Sequence, residues 1–304
     1  MTMRHEGKTM VVTGAAGAIG FATSEILARE GAKVMLVDIA ADRLHDCTAK
    51  LTAGGHDVIG HVADCADDAQ VEGYARAAMN DPTTIRRLYG RRQGHKLRLG
   101  QAALVEELLP EISVPESGPI DAMSLFGDDR PLEVEIGFGA GEHLAGQAIT
   151  RPHVGFIGCE PFLNGVVGAL NHVRDGELEN VRLHMGDALD VIERLPDESL
   201  DRVYLLHPDP WRKARHAKRR MVNHGPLDLI ARKLKPGAEF RLGTDDPTYC
   251  RWSMMVMNAR TDFVWQAKHP RDFLTRPDDW PETRYERKAR RQGHEVWYFR
   301  YLRP

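Results

Sequence analysis

The chain has 304 residues, 42% hydrophobic and 28% charged, with a formal net charge of −3. That is enough for two ordinary domains with buried cores, and the composition excludes disorder and collagen-like repeats. No apolar run reaches the roughly 18 residues of a membrane span, and the polar opening Met1–Lys8 is not expected to act as a secretory signal. The four cysteines form no CxxC pair, which argues against a zinc cluster or disulfide framework and predicts a reduced, cytoplasmic setting. Residues 1–80 carry 7 basic and 11 acidic side chains, leaving 34 and 33 for residues 81–304. Any nucleic-acid footprint is therefore expected as a local patch.

In chain order, Thr9–Gly14 reads as a β-branched strand ending in glycine, Ala15–Gly31 as a helix and Ala32–Asp38 as a second strand. Asp42–Leu51 has helical spacing, Asp57–Ala63 reads as a third strand and Asp67–Met79 as a third helix. This βαβαβα pattern is half of a doubly wound sheet, residues 1–80. Pro82 and the change from acidic to basic composition put a boundary near Asn80–Pro82. Residues 81–131 follow as a basic, helix-prone extension from Thr83 to Leu109 and a loose segment around Ser113–Arg130. Residues 132–304 hold a second α/β sheet. Its strands are expected at Leu132–Ile136, Val154–Cys159, Val181–Met185, Arg202–Leu206, Glu239–Thr244 and Glu295–Leu302.

In the first half, Gly14 to Gly20 lie between a strand and a helix, where a backbone can approach a pyrophosphate. Asp38 closes the second strand, where an acid can bond a ribose hydroxyl, and Asp64 follows the third. These residues resemble the N-terminus of short-chain dehydrogenases/reductases, with Ala18 at the usual middle glycine. That family's Tyr-x-x-x-Lys pair is missing, since none of the seven tyrosines is followed four positions on by lysine. The glycines and Asp38 are expected as vestiges of a nucleotide site. An incomplete sheet exposes a strand edge, so this half should be marginally stable unless it docks.

In the second half, Glu135, Gly137, Gly139 and Gly141 close the strand LEVEI with a tight G-x-G-x-G turn, and Glu142 stands where a dinucleotide pattern wants glycine. Such a loop suits the amino-acid tail of S-adenosylmethionine. Glu160 ends the next strand, placed for ribose hydroxyls, and Asp187 follows the third, placed for an adenine edge. Beyond the fourth strand comes His207-Pro208-Asp209-Pro210-Trp211, where two prolines fix one carboxylate at the strand tip. A basic run with Arg215, Lys218, Arg219 and Arg220 follows. A second, at Arg284, Arg287, Lys288, Arg290 and Arg291, has Tyr285 within it and Trp280 nearby. Cations mixed with aromatics suit phosphates and stacked bases.

Residues 83–304 resemble the bacterial tRNA (guanine-N7-)-methyltransferase family. The motifs are YGRRQG (89–94), EIGFGAG (135–141), GFIGCEPF (155–162), PDPW (208–211), RHAKRR (215–220), GTDD (243–246) and TRYE (283–286). The resemblance implies a class I, Rossmann-like α/β methyltransferase sheet acting on tRNA, with no DNA, membrane or metal partner. It implies that Glu135, Glu160, Asp187 and Asp209 meet S-adenosylmethionine, with Asp209 at the methyl-transfer site. Lys213, Asp245, Thr283 and Glu286 would contact the substrate, and Arg215, His216, Lys218, Arg219 and Arg220 the RNA. His207 and Arg212 depart from the family, which commonly has an aromatic and a proline there. Two other readings stay open: an NAD(P)-dependent oxidoreductase using Gly14–Gly20 and Asp38, and a catalytically silent RNA-binding protein.

Overall fold

A computed structural model of the chain describes residues 4–67, 70, 71, 74, 75, 78, 94 and 96–304. The helix expected over Asp67–Met79 lies partly outside these residues. So does most of YGRRQG; the boundary at Asn80–Pro82 and the start of the basic stretch lie wholly outside them. The chain forms two compact units, Met1–Arg87 and Leu88–Pro304.

The first unit runs β1 (Thr9–Thr13), α1 (Ala18–Arg29), β2 (Lys33–Asp38), α2 (Ala41–Ala53) and β3 (Val58–Val62). Its strands pair in parallel in the order β1-β2-β3. The central strand is buried at Val34, Met35, Leu36 and Val37, as a strand covered on both faces must be. Val34 and Leu36 pack with Ala28, Leu44 and Leu51, while Met35 and Val37 pack with Ala63, Tyr74 and Ala78. A Cβ at position 20 would collide with the Gly14 carbonyl, so α1 can lie against its loop only with glycine there. This is the partial Rossmann half that the pattern predicts.

The second unit runs α3 (Leu99–Ile112), α4 (Ala122–Phe126), β4 (Leu132–Ile136), α5 (Glu142–Thr150), β5 (Gly155–Cys159), α6 (Leu163–Asp175), β6 (Val181–His184), α7 (Ala188–Arg194) and β7 (Leu200–Leu206). A 3₁₀ turn (Ala214–Arg219) follows, then α8 (His224–Lys233), β8 (Leu234–Thr244), α9 (Pro247–Asn258), β9 (Val264–Trp265), α10 (Arg271–Leu274), α11 (Arg284–Arg291) and β10 (Trp297–Leu302). The sheet order is β6-β5-β4-β7-β8-β10-β9, with β10 antiparallel to both of its neighbours and the remaining pairs parallel. This is the Rossmann-like α/β sheet that the strand pattern predicts. The strand order reverses between β4 and β7, so their C-terminal ends open the crevice where such a sheet binds its ligand.

The segment Ser113–Arg130, read from sequence as loose, is pinned to the core. Val114 N–H donates to the Leu183 carbonyl at 2.9 Å, and Ile120 and Leu125 join the main core cluster. α3 buries Leu104 and Ile112 against Val166, Leu170 and Val173. Within the sheet, Glu133 binds Arg151 at 2.6 Å and accepts from the Tyr204 hydroxyl at 3.0 Å. Burial pushes the Tyr204 phenol up to about 12. Next to it, Glu239 binds Arg241 (2.7 Å), Arg300 (2.5 Å) and Arg202 (3.0 Å). A charge this far from water holds only because it is paired several times over.

Candidate active site

The loop after β4 is built around glycines in the left-handed region. Gly139 has φ +60°, and a Cβ there would press on the Tyr285 ring at 3.1 Å. Gly141 has φ +84°, and a Cβ there would overlap the Ala169 side chain of α6. Only glycine lets this loop lie so close to α6 and Tyr285. Gly137 N–H, at the start of the loop, donates to the Cys159 carbonyl at 2.8 Å and ties it to the end of β5.

Three acids stand at successive strand ends, as expected, in different states. Glu135 is buried, with Oε2 2.8 Å from His143 Nδ1 of α5, while Oε1 carries no hydrogen bond among the described residues. Glu160 accepts from Gly139 N–H (2.9 Å) and from Phe162 N–H (3.0 Å), so its carboxylate clasps the glycine loop. Burial raises its pKa, the two N–H donors oppose that, and the negative charges of Asp209 and Glu135 add to it. Asp187 caps α7, accepting from Leu189 N–H at 3.0 Å.

Beyond β7 the chain turns sharply. His207 and Trp211 both adopt left-handed backbone (φ +48° and +42°), uncommon for residues with a side chain, on either side of Pro208-Asp209-Pro210. Asp209 is exposed, and its carboxylate makes no hydrogen bond among the described residues. It lines a cavity of about 390 Å³ with His207, Arg212, Asp245, Tyr285, His294 and Trp297. Asp245 ends the turn after β8: its Oδ1 lies 3.0 Å from His207 Nδ1, and its Oδ2 3.8 Å from His294 Nδ1. The bond from His207 holds the Asp245 carboxyl below the usual carboxylate range. The next residue does separate work. Asp246 caps α9 through Thr248 and Tyr249 N–H and pairs with Arg212 at 2.7 Å. The Tyr285 ring lies roughly parallel to that of His207, with centroids 6.2 Å apart, and so stands between the glycine loop and the cavity.

Three residues expected to meet the substrate or the RNA lie inside the protein. Thr283 and Glu286, read as substrate contacts, are buried. Thr283 Oγ1 caps α11 by accepting from Glu286 N–H at 3.1 Å. Glu286 accepts from Tyr298 Oη (2.5 Å) and from Arg290 (2.8 Å), with Arg276 at 3.3 Å. They fix the helix that carries Tyr285. Arg220, read as an RNA contact, is 5% exposed; it donates to the Pro210 and Trp211 carbonyls at 3.0 and 2.9 Å and lies over the Trp252 ring. Its neighbours differ: Lys213, Arg215 and Lys218 are exposed, and Arg219 lies over the Trp211 ring. The sequence reading missed His143, Tyr285 and His294 as site residues and treated His207 only as a departure. For the His207–Asp245 pair the available signal was the ends of two strands that neighbour in this topology.

In the first unit, Asp38 accepts from Ala16 N–H (2.9 Å) and Ala40 N–H (3.0 Å), bonds that lower its pKa, with the Ala40 bond the largest cause. Asp64 accepts from Ala66 N–H in a turn after β3.

Residues 129–299 match the family model described as "Putative methyltransferase", and residues 8–89 match "short chain dehydrogenase". A tRNA (guanine-N(7)-)-methyltransferase of Zymomonas mobilis subsp. mobilis is 66% identical over 227 residues, covering 75% of this chain and 98% of that protein. Proteins of the same name from Sphingopyxis alaskensis and Novosphingobium aromaticivorans are each 62% identical, covering 73% of this chain and 97% of theirs.

Proposed function

The chain belongs to the tRNA (guanine-N(7)-)-methyltransferase family, and on that premise we propose that it methylates N7 of a guanine in tRNA, in the variable loop, from S-adenosylmethionine. The observation that carries the mechanism is the shared cavity of Asp209 and Asp245, separated from the glycine loop by Tyr285.

The residues present fit the cofactor. The loop over Gly137, Gly139 and Gly141 is closed to any Cβ at 139 and 141 and clasped by Glu160, while Glu135 keeps one oxygen without a hydrogen bond among the described residues. These residues, with Asp187 and at the border Asp209, would hold it. When bound, S-adenosylmethionine supplies an electrophilic methyl group.

The rest falls to the chain's own side chains. Guanine N7 has an in-plane lone pair and no proton, so no general base is required; the need is position and tolerance of a cationic product ring. Asp209 and Asp245 meet that need as acceptors for N1–H and the exocyclic amine, and as negative charges beside the ring. Lys213, Arg215, Lys218 and Arg219 follow the site along the 3₁₀ turn and would neutralise phosphates, while His216, its pKa lowered by burial and the neighbouring cations, would meet the RNA as a hydrogen-bonding ring. A tRNA substrate sets the reaction in the cytoplasm. The first unit reads as a Rossmann half without a reaction of its own, since both Asp38 oxygens already serve its own backbone.

Incubating the protein with labelled S-adenosylmethionine and bulk tRNA, then identifying the modified nucleoside, tests the reading. Label is expected in 7-methylguanosine at one position. Label elsewhere, or none, refutes it.

A further inference from the structure

His207 stands at the mouth of the site and is the ring in the cavity wall whose hydrogen bond fixes its tautomer. Asp245, held below the usual carboxylate range, accepts at 3.0 Å, so Nδ1 of the ring carries a proton. In the neutral imidazole Nε2 is then an acceptor, and the ring's hydrogen bond among the described residues is the one at Nδ1. The side chain is 7% exposed, stacked against Tyr285 and fixed by a left-handed backbone between β7 and Pro208. Two features of that ring are therefore set before any substrate arrives: its plane, and the atom left free.

We propose, on the basis of the function inferred above, that Nε2 of His207 accepts a hydrogen bond from the exocyclic amine of the target guanine and so selects guanine by its amino group. Asp209 and Asp245 present acceptors only, and guanine offers N–H donors along the edge remote from N7. A third acceptor on a rigid ring completes a wall to which adenine, with an acceptor at N1, cannot match all its groups. The edge that is gripped faces away from N7, which leaves the nucleophile uncovered.

The test compares two transcripts. One carries guanosine at the position the wild type methylates, the other inosine, which keeps N7 and loses only the amine. The wild type should prefer guanosine by at least roughly tenfold in kcat/KM, the loss expected for one buried hydrogen bond. In His207→Phe, which keeps a flat ring and has no nitrogen, that preference should fall severalfold. The wild type alone also tests the contact, since equal rates on guanosine and inosine would overturn it, so a His207→Phe protein that fails to fold leaves the proposal decidable. A preference of undiminished size in His207→Phe overturns the assignment while leaving the methyltransferase reading intact. A wild type that methylates no tRNA overturns both.

Discussion

Arg220 reaches beneath the PDPW turn and donates to the carbonyls of both Pro210 and Trp211, so a residue of the basic run serves as the underside of the loop that presents Asp209. Its guanidinium also lies 4.6 Å from the Trp252 ring centroid. The positive charge holds a shape here.

Arg220→Ala should therefore cost about 2–4 kcal/mol, because two partly buried carbonyls lose their donors. Turnover should fall as Asp209 is released. The slope of log K against log salt for tRNA binding should stay at the wild-type value. A urea melt and a salt titration measure the two effects, and a flattened slope would return Arg220 to the RNA surface.

Arg215 and Lys218 are exposed on the 3₁₀ turn and should behave in the opposite way. Replacing either by Gln should reduce the salt slope by about one phosphate's share and weaken tRNA binding, while cofactor affinity stays constant. Unchanged slopes in both variants would make them an ordinary solvated face.

Asp209→Asn should lower single-turnover methylation by about 10²-fold, the scale on which a charge-stabilising group acts. Binding of S-adenosylmethionine should change far less. Equal turnover in the variant would remove Asp209 from the mechanism.

The Glu239 cluster sets an acid limit. Burial alone would raise the Glu239 pKa, but Arg241, Arg300 and Arg202 outweigh it and hold it below the ordinary value. A depressed carboxyl contributes stability above its unfolded pKa and loses it as pH falls through the folded one. Wild-type stability should thus decline below about pH 4, with the depressed Asp245, Asp246 and Asp279 adding to the fall. Glu239→Gln should be less stable at pH 7 by about 3–5 kcal/mol, since Arg241 is left buried with a weaker partner, and its acid decline should be shallower. Melts at several pH values would show whether the two curves converge.

Removing residues 1–87 should leave methylation of tRNA unchanged, because every residue assigned to the reaction lies in the unit Leu88–Pro304. Side-by-side rates for the two proteins measure this. Lost activity, or an effect of NAD on methylation, would give the first unit a role.

Most strands were legible in the sequence because a buried parallel strand is a short apolar run with glycine or an acid at its end; Leu132–Ile136 is such a case, found at its exact limits. β8 begins at Leu234, five residues before the expected start, since Pro236-Gly237 reads as a break. The two-residue β9 has no periodicity to detect. Motif residues were legible by position and less so by role. RHAKRR is uniformly basic, yet its last arginine turns inward under the loop while the first stays in solvent. TRYE suggested substrate contacts, but Thr283 caps its helix and Glu286 faces the Arg276, Arg290 and Tyr298 groups that only tertiary structure brings to it. The pairing of His207 with Asp245 joins residues 38 positions apart and depends on β7 lying beside β8.

The bend at His207 and Trp211 has a kinetic consequence. Braced from below by Arg220 and stiffened by two prolines, the loop is shaped before RNA arrives and has little conformational freedom left to lose. The ordering step then passes to the nucleic acid, whose guanine must leave its stack to enter. Among the guanines of a folded tRNA, the protein's choice would follow the ease of unstacking.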